Sequence, residues 1–277
     1  MTQPMQLDHI VINVHRELDS AEKAFADLGF HLTPRGYHTL GSMNALAMFG
    51  TDYLELLGFP DGAEVSRPEL AAAPMGLNGL VFKTTDVDET FAHLQAVGAA
   101  GDPPKSFSRP VTLDNGETHD AKFRTVAVSS NVFSAGRLYF CEHLTSELVW
   151  RPEYQGHANE ASRFEDLTVV AEDAPGIADL LAKIIRSEAK AGDNALTVAA
   201  ADNFTLRVLT PAQYQTRFGA AARGMGGRTS MFGAVTVRGQ VSETLAGGGD
   251  PRFAVISVGS GHSVVINNYD AVMSFTP

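Results

Sequence analysis

Three side chains in this sequence stand where their chemistry is conspicuous. His9 lies in the β-branched run Leu7-Asp8-His9-Ile10-Val11-Ile12-Asn13-Val14, Glu55 lies in the short apolar run Asp52-Tyr53-Leu54-Glu55-Leu56-Leu57, and His143 closes Tyr139-Phe140-Cys141-Glu142-His143. Runs of that length and composition read as buried strands, where an ionised carboxylate is costly unless a cation or a metal pairs with it. Two imidazoles and one carboxylate with open positions suit Fe(II), Mn(II), Ni(II) or Zn(II). The same groups also have a structural reading: hydrogen-bonded core histidines, with Glu55 paired to an arginine such as Arg137 or Arg35. Period-two alternation sets Tyr139, Cys141 and His143 on one face of their strand and Phe140, Glu142 and Leu144 on the other. Cys141, the single cysteine, reads as a small buried hydrophobe and excludes both an internal disulfide and a cysteine-only zinc site.

The elements that must position these groups follow a repeating grammar. Leu7 to Val14 is a strand, and Leu18, Ala21, Ala24, Phe25 and Leu28 recur at helical spacing before Gly29. Phe30 to Leu57 then reads as three short strands, broken at Pro34-Arg35-Gly36 and at Gly50-Thr51-Asp52. The pattern returns with a strand from Asn78 to Thr84 and a helix opened by Asp86, which has Glu89 at capping-box distance. Further strands lie within Phe123–Ser129 and Arg137–Leu144. A third copy has a strand at Phe164–Val170, a helix from about Asp173 to Ser187, and strands at Leu196–Ala201 and Phe204–Leu209. A fourth has a strand at Phe232–Val237, a weak helix near Val241–Ala246, and a hairpin of Phe253–Val258 with His262–Ile266 around Gly259-Ser260-Gly261. This gives an α+β chain of four βαβββ modules in two pairs, with domains at 1–158 and 159–277.

The chain has 277 residues, 44% hydrophobic and 19% charged, with a formal net charge of −11. That is the composition of a globular protein with a sizeable core. The acidity, with no offsetting Lys/Arg cluster, argues against nucleic acid and against anionic membrane surfaces. No apolar run reaches the roughly 20 residues of a spanning helix, and no targeting segment is recognisable at the start, so a cytoplasmic location is expected. The expected partner is a small-molecule substrate, and a homodimer is compatible with the sequence.

With His in the first strand of a module and Glu in the fourth, this grammar resembles the vicinal oxygen chelate superfamily, in particular its glyoxalase-like branch. The resemblance is densest at Leu7-Asp8-His9-Ile10-Val11-Ile12, at His38-Thr39-Leu40-Gly41-Ser42-Met43-Asn44-Ala45 leading to Tyr53-Leu54-Glu55-Leu56, and from Phe140 to Glu153. It implies two glyoxalase/bleomycin-resistance-like domains, each a pair of modules curled around a cleft. It also implies a divalent metal held by first-strand and fourth-strand residues, here His9, Glu55 and His143. Aligning Tyr53 with Tyr139 sets Cys141 opposite Glu55, and the first-strand position matching His9 in the second module is Gly79, so one ligand of the family pattern is absent. The second domain offers only Asp166 or Glu165 near the His9 position and is expected to hold no metal.

Around these ligands, His38 and Asn44 flank a Gly41-Ser42 turn, either as turn chemistry or as substrate contacts, and Arg151 is either a linker residue or a clamp for a substrate carboxylate. The activity implied is that of a metal-dependent lyase or isomerase acting on a small substrate with vicinal oxygens, with Glu55 or Glu142 as base if free of structural pairing. A metal-free binding or resistance protein is the alternative, and an extradiol-type dioxygenase a further one.

Overall fold

The computed structural model describes residues 3–62, 67–192, 194–258 and 261–277. Its first module runs β1 (Leu7–His15), α1 (Leu18–Asp27), β2 (Gly36–Tyr37), β3 (Met43–Met48) and β4 (Tyr53–Gly58). A short helix, α2 (Pro68–Ala72), leads into the second: β5 (Gly76–Lys83), α3 (Val87–Ala96), β6 (Lys105–Thr112), β7 (Thr118–Ala127) and β8 (Arg137–His143). The third comprises β9 (Arg163–Ala171), α4 (Ala174–Ile184), β10 (Ala189–Gly192), β11 (Ala195–Ala199) and β12 (Thr205–Leu209). After α5 (Pro211–Phe218) the fourth follows: β13 (Ser230–Arg238), α6 (Glu243–Ala246), β14 (Phe253–Val258), β15 (Gly261–Ile266) and β16 (Ala271–Thr276). Four βαβββ modules are present as expected. We keep 1–158 and 159–277 as working limits for the two domains, with the division in the connection from β8 to β9.

The modules pair into two eight-stranded sheets ordered β2-β3-β4-β1-β5-β8-β7-β6 and β10-β11-β12-β9-β13-β16-β15-β14. In each, the first strand of a module runs parallel to its fourth, and the two first strands meet antiparallel at the centre. The first sheet buries Ile10, Ile12, Leu54, Leu56, Leu80 and Phe82 against α1 and α3. The alternate residues Val11, Tyr53, Leu57, Val81 and Cys141 line the other, concave face. This alternation is the strand period of two made visible as two cores. Asp86 caps α3 as the sequence predicts, its side chain accepting from the backbone N–H groups of Asp88 and Glu89.

Where sequence and structure differ, the reason is local. The residues from Phe30 to Arg35 form no strand; β2 is two residues long, and the chain turns at 38–42 rather than at Pro34-Arg35-Gly36. β6 and β10 carry too little apolar periodicity to be read, since they lie at sheet edges and expose much of their length; β16 and α5 are further elements that the sequence reading does not contain. Gly259 and Ser260 of the expected hairpin lie outside the described residues, although its two strands pair as expected. Among the described residues, no helix is long and apolar enough to cross a membrane.

The two domains share one core. Aromatic pairs cross between them, Phe49 with Phe164 (centroids 5.1 Å apart) and Phe133 with Phe232 (5.9 Å), so the helical sides of the sheets face each other and the concave faces look outward. Two backbone approaches fix this arrangement. Gly76, at φ +107°, lies so near the Tyr269 carbonyl that an added Cβ would sit 2.4 Å from it, a position and conformation only glycine tolerates. Asp52, in the β3–β4 turn, accepts a hydrogen bond from the Phe164 N–H at 3.2 Å.

Burial pushes the Asp52 carboxyl up to about 7, against the lowering pull of that hydrogen bond and of Lys83. A carboxyl raised in the folded state binds more protons there than in the unfolded chain, so it erodes stability as pH rises from about 4 to 7. Asp52→Asn keeps an acceptor for Phe164 and removes the titration. The melting temperature of the variant relative to the native protein is therefore expected to climb by about 3–6 °C between pH 5 and pH 8. A difference that does not change with pH would contradict this account of Asp52. Gly76→Ala is expected to destabilise by about 2 kcal/mol or more in urea denaturation, because it meets both a steric and a conformational barrier.

Candidate active site

The site is built on the central antiparallel pair β1–β5, and it depends on an irregularity there. Leu7 pairs with Phe82 but His9 pairs with Val81, so Asp8 is an extra residue bulged out of the ladder. In a regular strand Asp8 and His9 would point to opposite faces; the bulge lets the two interact side by side beneath the concave face. Asp8 Oδ1 accepts from His9 Nδ1 at 2.5 Å, and Asp8 Oδ2 accepts from His143 Nε2 at 2.9 Å. Asp8 is fully buried. Burial alone would raise its pKa, but the charges and hydrogen bonds of His143 and His9 outweigh that and hold it well below the usual carboxylate range.

With Nδ1 engaged by Asp8, His9 Nε2 faces the cleft. It lies 3.1 Å from the Tyr139 hydroxyl, at hydrogen-bond distance, and 3.6 Å from Glu55 Oε2. The His9 ring stacks on Tyr53, centroids 4.4 Å apart. Glu55 Oε1 accepts from Asn44 Nδ2 at 2.7 Å, and the same amide reaches His38 Nε2 at 3.3 Å. His38 Nδ1 in turn lies 2.9 Å from Ser42 Oγ. One polar chain thus crosses the cleft from Ser42 through His38, Asn44, Glu55, His9 and Asp8 to His143. Burial of Glu55 would raise its pKa, but His9, His38 and the Asn44 bond overcome that and lower it, so the group is a carboxylate. Burial drives the His38 ring down to about 4, against the pull of Glu55, so it is neutral at pH 7.

Two arginines complete the cleft. Arg109 on β6 is buried and Arg137 at the start of β8 is half-buried, and loss of solvent lowers the pKa of each. Arg137 Nε donates to Asn78 Oδ1 at 3.3 Å, while its Nη2 is buried without a partner. Gly79 lies beside it: a Cβ at Gly79 would meet Val11 at 2.6 Å and Arg137 Nη2 at 3.5 Å. The missing ligand at Gly79 is therefore a packing necessity at the module seam, where Val11 pairs directly with Gly79.

The structure brings His9, Glu55, His38 and Asn44 together, and it ties His143 to this group through Asp8. Arg151 is placed elsewhere: it pairs with Asp114 at 2.9 Å and with Glu153, and packs on the Tyr154 ring. Glu142 faces away from the cleft, within reach of the Val87 N–H at the start of α3 and of Arg124. The registers revise one alignment. His9 pairs with Tyr53 and Val11 with Glu55, as Gly79 pairs with Arg137 and Val81 with Tyr139. Tyr139, not Cys141, is thus the counterpart of Glu55, and Arg137 that of Tyr53. Asp8 and Arg109 are absent from the sequence reading of the site, and Arg137 enters it only as a structural partner for Glu55. Adjacency of Asp8 to His9 was the one available signal, and strand alternation argued against it.

Two arrangements could hold a cation. His9 Nε2 and Glu55 Oε2 open toward the cleft at a separation that an ion about 2.0–2.2 Å from each would span. Asp8, Cys141 and His143 offer ligand atoms within 4.8 Å of one another. Burial, with Asp8 nearby, raises the Cys141 thiol far above its ordinary value, so it stays protonated and is a poor ligand.

The model of the glyoxalase-like domain family matches residues 7–185, well over half of the chain, and the protein belongs to that family. A search of curated protein sequences finds no match. Among solved structures, a hypothetical protein from Staphylococcus aureus is similar at TM-score 0.67 and 13% identity, with 99% of each chain covered. A variant of 4-hydroxymandelate synthase from Streptomyces coelicolor is similar at TM-score 0.55 and 11% identity, covering 99% of this chain and 92% of that one. A xylose isomerase-like TIM barrel/4-hydroxyphenylpyruvate dioxygenase fusion protein is similar at TM-score 0.57 and 9% identity, covering 99% of this chain and 49% of that one. At these identities the likeness is one of fold: paired modules of the vicinal oxygen chelate type.

Asp8→Asn leaves one buried imidazole without its acceptor. It is expected to cost about 2 kcal/mol at pH 7. Because the folded-state pKa of Asp8 is depressed, the native advantage is fully present above the unfolded value near 4 and is lost as pH falls below it. Urea denaturation of both proteins at pH 7 and at pH 3 checks the size and the trend.

Proposed function

We propose that the concave face of the first domain is the active site of a metal-dependent lyase or isomerase acting on a small carboxylate with vicinal oxygens. The observation that carries this reading is the pairing of His9 Nε2 and Glu55 Oε2 at 3.6 Å, with Asp8 fixing the opposite ring nitrogen of His9. A carboxylate behind a ligating histidine is the usual support for such a metal site. His9 and Glu55 would be the ligands. His143 supports His9 through the shared Asp8 carboxylate, and would itself reach an ion only by releasing Asp8 Oδ2. When bound, a divalent ion of the Fe, Mn, Ni or Zn type would act as a Lewis acid on adjacent substrate oxygens.

The chain's own groups suit the rest of the task. Arg137, with a buried N–H lacking a partner, and Arg109 offer bidentate binding to a substrate carboxylate and compensate its charge. The Tyr139 hydroxyl is aimed at His9 and can donate to an oxyanion in its place. Asn44 and His38 hold Glu55 as a carboxylate in one orientation; as substrate contacts they act through it. Trp150, tilted against the His143 ring and edge-on to Tyr53, packs with Leu70 of α2 in the apolar cluster on this face.

A second reading, metal-free binding of a small molecule, draws on the second module, where Gly79 and Tyr139 stand at the positions matching His9 and Glu55. The titles of two solved structures of this fold name a 4-hydroxymandelate synthase and a 4-hydroxyphenylpyruvate dioxygenase, which makes oxygen uptake a worthwhile control. Metal analysis of untagged protein decides between the readings. One equivalent of a divalent ion is expected, with His9→Ala and Glu55→Gln each weakening its binding about 100-fold. Protein that binds no ion, or activity undiminished after chelation, would overturn the metal-dependent reading.

A further inference from the structure

The concave face of the second domain carries a second cleft, and its chemistry is the inverse of the first. The same bulges recur there: Glu165 is extra on β9 and Gly233 on β13, as Asp8 and Asn78 are in the first domain. This fixes the correspondence residue by residue. Asp166 pairs with Thr205, and Thr168 with Arg207, so Asp166 stands where His9 does and Arg207 where Glu55 does. Arg207 Nη2 lies 3.6 Å from Asp166 Oδ2. The two ligand positions of the first cleft are here occupied by an ion pair, with the cation placed toward the open space.

That space is a cavity of about 630 Å³, lined by Arg207 and Leu209 from β12, Arg217 and Phe218 from α5, Thr236 from β13 and Ser274 from β16. Such a volume suits a small organic molecule. Arg217 is held below its ordinary pKa by burial and by the neighbouring Arg207, while Asp166 pulls it back. Two guanidiniums therefore line the cavity, with the Asp166 carboxylate behind Arg207. Three buried polar atoms on this face have no partner: Arg207 Nε, Asp166 Oδ1 and Thr168 Oγ1. Burying a guanidinium N–H unpaired is costly, and a second cation beside it adds repulsion. Both penalties fall when an anion enters. Its apolar walls are Ala195, Leu209, Phe218 and Phe275, and Phe218 packs behind them in one cluster with Tyr214, Val170 and Val265.

We propose that this second cleft binds a small organic carboxylate, its charged end between Arg207 and Arg217 and its apolar body over Leu209 and Phe218. The planar fork of each guanidinium matches a carboxylate. This site is separate from the one assigned above, and neither depends on the other.

Titration calorimetry of the full-length protein with benzoate tests it, with uncharged benzamide as the control. Saturable one-to-one binding of benzoate is expected, at least tenfold tighter than that of benzamide and weakened at least tenfold by Arg217→Gln. The titrations are made in the Arg137→Gln background, so that any benzoate taken up by the first cleft does not contribute to the one-to-one binding read for the second. Arg217→Lys retains the charge but not the fork; if Arg217→Gln does not fold, an approximately threefold or greater weakening in Arg217→Lys serves as the criterion. Absence of saturable benzoate binding, or affinity unaltered by substitution of Arg217, would overturn the proposal.

Discussion

The antiparallel seam between first strands is the constraint from which the rest of each domain follows. Two modules can share one continuous sheet only if their first strands pair at its centre, and pairing fixes which residues of four strands face the cleft. In the first domain that seam sets Val11 against Gly79 and His9 against Val81. The bulge at Asp8 then alters the count by one. A carboxylate that alternation would send into the apolar layer under α1 instead meets His9 and His143. The polar chain that ends at Ser42 is anchored there, because His9 can present Nε2 to Glu55 only while Asp8 holds Nδ1.

The seam also explains why two such domains of one chain can have opposite electrostatics on one scaffold. Backbone register and bulges are shared, so the positions open to the cleft are the same four in each domain. What occupies them differs: His9, Glu55, Gly79 and Tyr139 in one, Asp166, Arg207, Ala234 and Ser274 in the other. The first set can gather a cation between an imidazole and a carboxylate. The second already contains its cation. Fold thus specifies where ligands can be displayed and leaves their charge to side chains.

Much of this was legible in the sequence. The four-module grammar follows from β-branched runs followed by amphipathic helices, and His9 and Glu55 stood out because polar groups in buried strands are costly. Less legible were elements whose stability comes from their neighbours. β6 exposes half of its residues, so it carries no clear apolar signature, and with it the sequence concealed Arg109. Asp8 was hidden by a different cause: a bulge is a property of two strands together, and one strand's alternation cannot reveal it. The same shift misaligned Tyr139, since counting from Tyr53 misses the register that places Arg137 opposite Gly79. Arg151 looked like a clamp because of its residue type, but nearby carboxylates on Asp114 and Glu153 claim it.

The shared core gives these clefts a common foundation. Phe49, Phe133, Phe164 and Phe232 lock the helical sides of the two sheets together, and each fully buried phenylalanine contributes about 2–3 kcal/mol of burial. That rigidity lets buried polar groups be held unsatisfied, because the sheet cannot relax to pair them. Arg137 Nη2 in one cleft and Arg207 Nε in the other are both such groups. A guanidinium N–H buried without a partner is destabilising unless its cost is offset elsewhere, and the interdomain packing is one such offset. The seam positions these groups, the common core keeps them in place, and an incoming carboxylate completes what the fold leaves unpaired.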